Sequence, residues 1–114
     1  MDWDEAAADV HIVDGYPVLI NDAGCADLVA RVSRDVLGPE RVRTDRRPGM
    51  GAEDFAYYAQ LVPAAMFRLG MAPPGGDGWP ELHTPWMDFN DDALPSGIEL
   101  FSEIAYRCLR EHAG

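Results

Sequence analysis

Cysteine and basic residues are scarce in this chain. Its two cysteines, Cys25 and Cys108, stand far apart with no CxxC spacing, so neither a zinc knuckle nor a disulfide framework has support. Both fall on the apolar phase of predicted helices, where burial explains a free thiol. Nine basic residues face 20 acidic ones, for a net charge of −11. That balance argues against nucleic acid and against an anionic membrane surface, since phosphates would be repelled. Long apolar runs are missing too, as is a basic segment followed by an apolar one. Neither a membrane span nor a signal peptide is therefore expected, and the default compartment is the cytoplasm. There is no internal repeat and no sustained heptad pattern.

The remainder is ordinary for a globular chain. Hydrophobic residues make up 47% and charged residues 25% of 114 positions, enough for one domain. A chain of this size buries roughly two-thirds of its unfolded surface when it folds alone.

Local patterns predict alternating elements. Residues 8–13, ADVHIV, alternate like a strand, and DGYPVLIND continues as a turn and an extended connection. Asn21 or Asp22 can cap a helix from Ala23, in which Cys25, Leu28, Val29, Val32 and Val36 recur at steps of three and four. Gly38 and Pro39 end it. A short strand is expected around Val42, and a helix from near Ala52 to before Pro63, with Glu53 and Asp54 in its first turn. AAMFRLGM reads as a buried strand. A terminal helix follows, with Leu94, Ile98, Phe101, Ala105 and Cys108 as its apolar stripe and Asp91 or Asp92 as its cap. This order favours an α/β layer with helices packed on a largely parallel sheet.

Chemistry is thinly signalled by spacing alone. LHTPWMDFNDDAL places His83 ahead of Asp88, Asp91 and Asp92, but no helical i, i+4 ligand pair results. A catalytic zinc needs about three protein ligands and an open position. Adjacent Glu53 and Asp54 would point to different helix faces, so paired acid/base work is disfavoured. No serine lies in a GxSxG elbow, and PPGGDG lacks the lysine of a phosphate loop.

Three stretches carry more in combination. YPVLIND (16–22), MGAEDFAYY (50–58) with AAMFRLG (64–70), and LHTPWMDFNDDALPSGIELF (82–101) resemble the amidohydrolase branch of the aminoacylase/carboxypeptidase family. Those co-catalytic zinc metallopeptidases include hippurate hydrolases, N-acyl-L-amino-acid amidohydrolases and indole-acetyl-amino-acid hydrolases. Order and spacing agree from about residue 10 onward.

The resemblance implies the C-terminal part of a catalytic domain, a partial three-layer α/β/α sandwich with a mixed, mostly parallel sheet. Residues 1–15 would be an acidic start and the end of a lid-like strand, and 16–114 the catalytic-domain portion. It implies that His83 is a ligand to a divalent metal, Zn or Mn. Gly51, Glu53 and Asp54 would line the pocket for a small acyl-amino acid, and Trp86 would pack beside His83.

The family's remaining ligands, its catalytic glutamate base and its lid come from sequence N-terminal to these motifs. The expectation is therefore a fragment or truncated amidohydrolase, inactive as the isolated chain and holding metal weakly. The alternative is a non-catalytic remnant acting in self-association, as a homo-oligomer, or in complementation. A weaker third reading is a standalone binding domain for a small ligand.

Overall fold

The computed structural model describes residues 6–76 and 78–113. Two long helices organise it. α1 runs Ala23–Leu37, because Asp22 at its N-cap accepts the Cys25 N–H at 2.9 Å and satisfies a free first-turn amide. The same hydrogen bond holds the Asp22 carboxyl below its ordinary range. Gly38, at φ 87°, ends the helix by returning its N–H to Arg34 O. Pro39–Arg41 then form one 3₁₀ turn. α2 is short, Ala56–Leu61, and closes just before Pro63.

α3 runs Leu94–His112 and carries Pro95 in its first turn, where no amide donor is required. Its approach is a 3₁₀ turn, Asp91–Ala93. Asn90 rather than either aspartate caps that turn, accepting the Asp92 N–H.

α1 and α3 bury one small core against each other. Leu28, Val32 and Leu100 are buried at its centre, with Val36, Phe67, Ile104 and Cys108 packed around them. Ion pairs run along the seam, Arg107 between Asp35 and Glu103, and Arg31 to Glu111 at 3.1 Å. The two carboxylates pull the Arg107 pKa up, Asp35 first. All these side chains stay substantially solvated, so the pairs fix how the helices meet more than they stabilise the contact.

The chain around 64–71 leans on this helix pair. Phe67 and Phe101 lie with ring centroids 5.2 Å apart. A Cβ on Gly97 would stand 3.0 Å from Leu69 Cδ2, so glycine permits the close approach. Asn21 holds the segment by both main-chain groups of Met66: its Nδ2 donates to Met66 O and its Oδ1 accepts Met66 N–H, each at 2.9 Å. Asp22 N–H donates to Ala64 O at 2.8 Å. At the far end Asn90 Nδ2 donates to Met71 O at 2.8 Å.

The expected α/β/α sandwich is corrected by this structure. Among the described residues there is no strand and no sheet; the secondary structure is helical. The residue types of a strand are present at 8–13, around Val42 and at 64–71, but a strand exists only through ladder partners. Segment 64–71 receives two asparagine side chains, Asn21 and Asn90, and one amide in place of a neighbouring strand. Among the described residues no main-chain hydrogen bond reaches residues 8–13.

Three local readings shift as well. α2 starts at Ala56, leaving Glu53 and Asp54 in the turn before it. The face of α3 turned inward is Leu100, Ile104 and Cys108, whereas Leu94, Ile98 and Phe101 are 59%, 67% and 65% exposed. Finally, 10135 Å² of surface remains accessible, so folding buries only about 44% of the extended-chain area. The radius of gyration is 19.9 Å, against about 13 Å for a compact chain of this length. Among the described residues no helix is long and apolar enough to cross a membrane.

The reassigned face of α3 has a direct consequence. Leu100→Ala should cost roughly 2–5 kcal/mol in urea unfolding followed by helical circular dichroism, whereas Ile98→Ala should stay within about 0.5 kcal/mol. Equal losses would put the core on the wrong face.

The Asp22 cap predicts a pH dependence. Its folded pKa is lowered, so its contribution is present above the unfolded pKa and is lost as pH falls through the folded value. Asp22→Ala should reduce helicity at neutral pH and make no difference once the wild-type carboxyl is protonated; a pH-independent loss would rule the cap out.

Candidate functional site

The loop between Trp79 and Asn90 carries the histidine singled out by sequence. Local hydrogen bonds shape it. Thr84 Oγ1 donates to Glu81 O at 2.8 Å, and Met87 N–H donates to Thr84 O at 3.1 Å, closing a turn with Pro85 at its second position. Trp79 Nε1 donates to Asp88 O at 2.7 Å across the base of the loop. Asn90 ties the exit of the loop to Met71.

Within this frame His83 adopts φ 65°, and among the described residues it is the non-glycine residue with a positive φ. A left-handed backbone costs an L-residue roughly 1–2 kcal/mol. Strain of this kind persists where the surroundings impose it, and it clusters at ligand-holding positions. The imidazole is exposed and has no hydrogen bond or ion pair among the described residues. Both ring nitrogens are free to meet a ligand. Trp86 is 78% exposed, so its ring does not shelter the histidine.

The acids beside His83 are used locally. Asp88 Oδ1 accepts the Phe89 N–H at 2.8 Å. Asp91 and Asp92 lie in the 3₁₀ turn that leads into α3, where they favour the positive end of the dipole. Among the described residues no group of three His, Cys, Asp or Glu side chains could hold a metal ion. A single imidazole does not fit a metal centre, which needs about three protein ligands.

The second candidate cluster lies before α2. Glu53 is half-buried, and its Oε1 accepts the Phe55 N–H at 3.2 Å. Glu53 O and Asp54 O accept the first amides of the helix, from Ala56 and Tyr57. Gly51 is exposed, with open space where a Cβ would stand. Glu53 thus shapes the turn, while Asp54 and Gly51 face solvent. The structure does not gather these residues into one cluster of ligands with His83.

Two interactions were missed from sequence. His112 lies one turn after Cys108 on α3, with Nδ1 2.8 Å from Cys108 O and 3.9 Å from Cys108 Sγ. The i, i+4 spacing was its signal. The other is the double hydrogen bond of Asn21 to Met66, 45 residues away. No local pattern announces such a contact. Burial raises the Cys25 thiol pKa, with the Asp22 side chain a further cause, which makes this thiol a poor nucleophile.

Comparison with known proteins now supplies the family. The model of peptidase family M20/M25/M40 matches residues 6–107, and the chain belongs to that family. Similar proteins include the IAA-amino acid hydrolases ILR1-like 4 and ILR1-like 2 of Arabidopsis thaliana. The first is 32% identical over 84% of this chain and 22% of its own length, the second 33% over 85% and 22%. A Bacillus subtilis protein whose name describes it as an amidohydrolase, YhaA, is 31% identical over 80% of this chain and 23% of its own. The chain therefore spans about a quarter or less of the length of these relatives.

The strained backbone at His83 yields a test independent of activity. His83→Gly should raise stability by roughly 1 kcal/mol through relief of the left-handed strain, whereas His83→Ala should leave it nearly unchanged. Urea unfolding of the two variants checks this, and a destabilised glycine variant would contradict it.

Proposed function

We propose that this chain forms part of a metal-dependent amidohydrolase that cleaves the amide bond of N-acyl amino acids. Family membership and the names of the relatives support the reaction class. In this reading the complete enzyme would use a divalent ion, Zn²⁺ or Mn²⁺, which would supply Lewis-acid chemistry at the scissile carbonyl. His83 donates one ligand to it, and Gly51, Glu53 and Asp54 border the substrate. The observation that carries the assignment is the exposed, unpartnered imidazole held at φ 65° in a pinned loop.

The ligands present do not complete a metal centre, so hydrolysis requires groups beyond the described residues of this chain. The isolated chain is accordingly expected to bind metal weakly and to leave hippurate intact.

Two measurements on the purified chain test this reading. Titration with Zn²⁺ should broaden or shift the ring resonances of His83 ahead of those of His11 and His112, with millimolar rather than nanomolar affinity, and His83→Ala should abolish that response. An undisturbed His83 ring would remove the ligand assignment. Hippurate hydrolysis by the chain with added Zn²⁺ or Mn²⁺, lost in His83→Ala, would instead show that the isolated chain completes a working site.

A further inference from the structure

The nine residues counted as Lys or Arg are all arginines, and the fold uses them in different ways. Arg31 and Arg107 bridge acids along the helix seam, and Arg110 lies over the Tyr106 ring, 5.6 Å from its centroid. Arg34 sits in the last turn of α1, where a cation suits the dipole. Arg41, Arg43, Arg46, Arg47 and Arg68 have no such role. All five are exposed, and among the described residues none has an ion pair or a side-chain hydrogen bond.

An exposed arginine is ordinarily a solvated one, so position must decide. The chain has 20 acids, yet from Arg41 to Ala52 Asp45 stands alone among them. Arg46 and Arg47 precede Gly49 by three and two residues. Arg68 comes from a different segment, and its Nη2 lies 3.9 Å from where a Cβ on Gly49 would stand. The fold thus brings a third guanidinium to a loop that is already basic, against their mutual repulsion. An anion seated between them would turn that repulsion into attraction.

The backbone beside this cluster is bare enough for a ligand. Gly51 has open space where a Cβ would stand, and among the described residues no main-chain hydrogen bond reaches Gly49, Met50 or Gly51. The loop then continues into Glu53 and Asp54, which border the substrate in the proposed enzyme.

Charge narrows the ligand. A carboxylate takes one guanidinium as a bidentate partner. A simple N-acyl amino acid offers one carboxylate, whereas an N-acyl aspartate or glutamate offers two. Glu53 and Asp54 repel such a dianion unless arginines hold its charge, and three arginines at Gly49 exceed what one carboxylate needs.

We propose that Arg46, Arg47 and Arg68 form a carboxylate site beside Gly49 that selects acyl amino acids with an acidic side chain. The inference rests on the hydrolase reading for its substrate, but the binding of carboxylates does not depend on metal or turnover.

Calorimetric titration of the full chain at low salt, without metal, tests it. N-acetylglutamate should bind at least about ten-fold more tightly than N-acetylglutamine, which keeps the α-carboxylate and loses only the second charge. Arg68→Gln, and the pair Arg46→Gln with Arg47→Gln, should each remove that preference, whereas Arg110→Gln should preserve it. An unchanged 222 nm signal verifies that the helix pair is intact in each variant. Equal affinity for the two acyl amino acids, flat heats with both, or a preference that survives Arg68→Gln would overturn the proposal. So would inorganic phosphate binding as tightly as N-acetylglutamate, since the site would then read charge alone. Failure of the hydrolase reading shows separately: a His83 ring undisturbed by Zn²⁺ leaves the glutamate preference in place, and a His83 that takes Zn²⁺ does not create one.

Discussion

The packed core among the described residues is the contact between α1 and α3. Leu28 and Val32 meet Leu100 there, and the segment 64–71 packs against that pair through Phe67. Hydrophobic burial supplies the attraction, but the ion pairs of Arg31 and Arg107 give it direction. A core of so few residues leaves little reserve. Exposed apolar side chains on α3, and on the chain before α1, sit outside its reach. The family relationship puts this in context, since the relatives are several times longer than the stretch they share with this chain.

Sequence reasoning performed best where the governing interaction is local. Asp22, Gly38 and Pro39 bound α1 as expected because a cap, a left-handed glycine and a proline act within one turn. Of the stripe Cys25, Leu28, Val29, Val32 and Val36, the core takes Leu28, Val32 and Val36, while Cys25 and Val29 are half-buried outside it. It performed worse where the outcome depends on what stands opposite. Residues 8–13 and 64–71 have strand-like composition, yet no composition supplies the second chain of a ladder. In α3 the apolar residues span an arc wide enough for two faces, and only the position of α1 selects Leu100 over Ile98. A periodicity identifies the helix but not the neighbour.

The candidate site was legible unevenly for the same reason. The motif around His83 made that residue a candidate, but neither its left-handed backbone nor the Trp79–Asp88 tie across the loop can be read from spacing. Glu53 and Asp54 were assigned to a first helical turn. The structure uses them one step earlier, and the hydrogen bond from the Phe55 amide gives Glu53 a conformational role before any chemical one.

Asn21 imposes a constraint of another kind. Its amide engages donor and acceptor of a single residue, Met66, so the two segments can meet in one alignment only. A slip by one position would lose both hydrogen bonds and turn Phe67 away from the helices. The arginine-rich loop between them is under no comparable restriction on length. Evolutionary insertions and deletions should therefore accumulate in the loop while the spacing from Met66 to the Gly97 contact holds steady, a pattern that an alignment of relatives would reveal as a rigid block beside an elastic one.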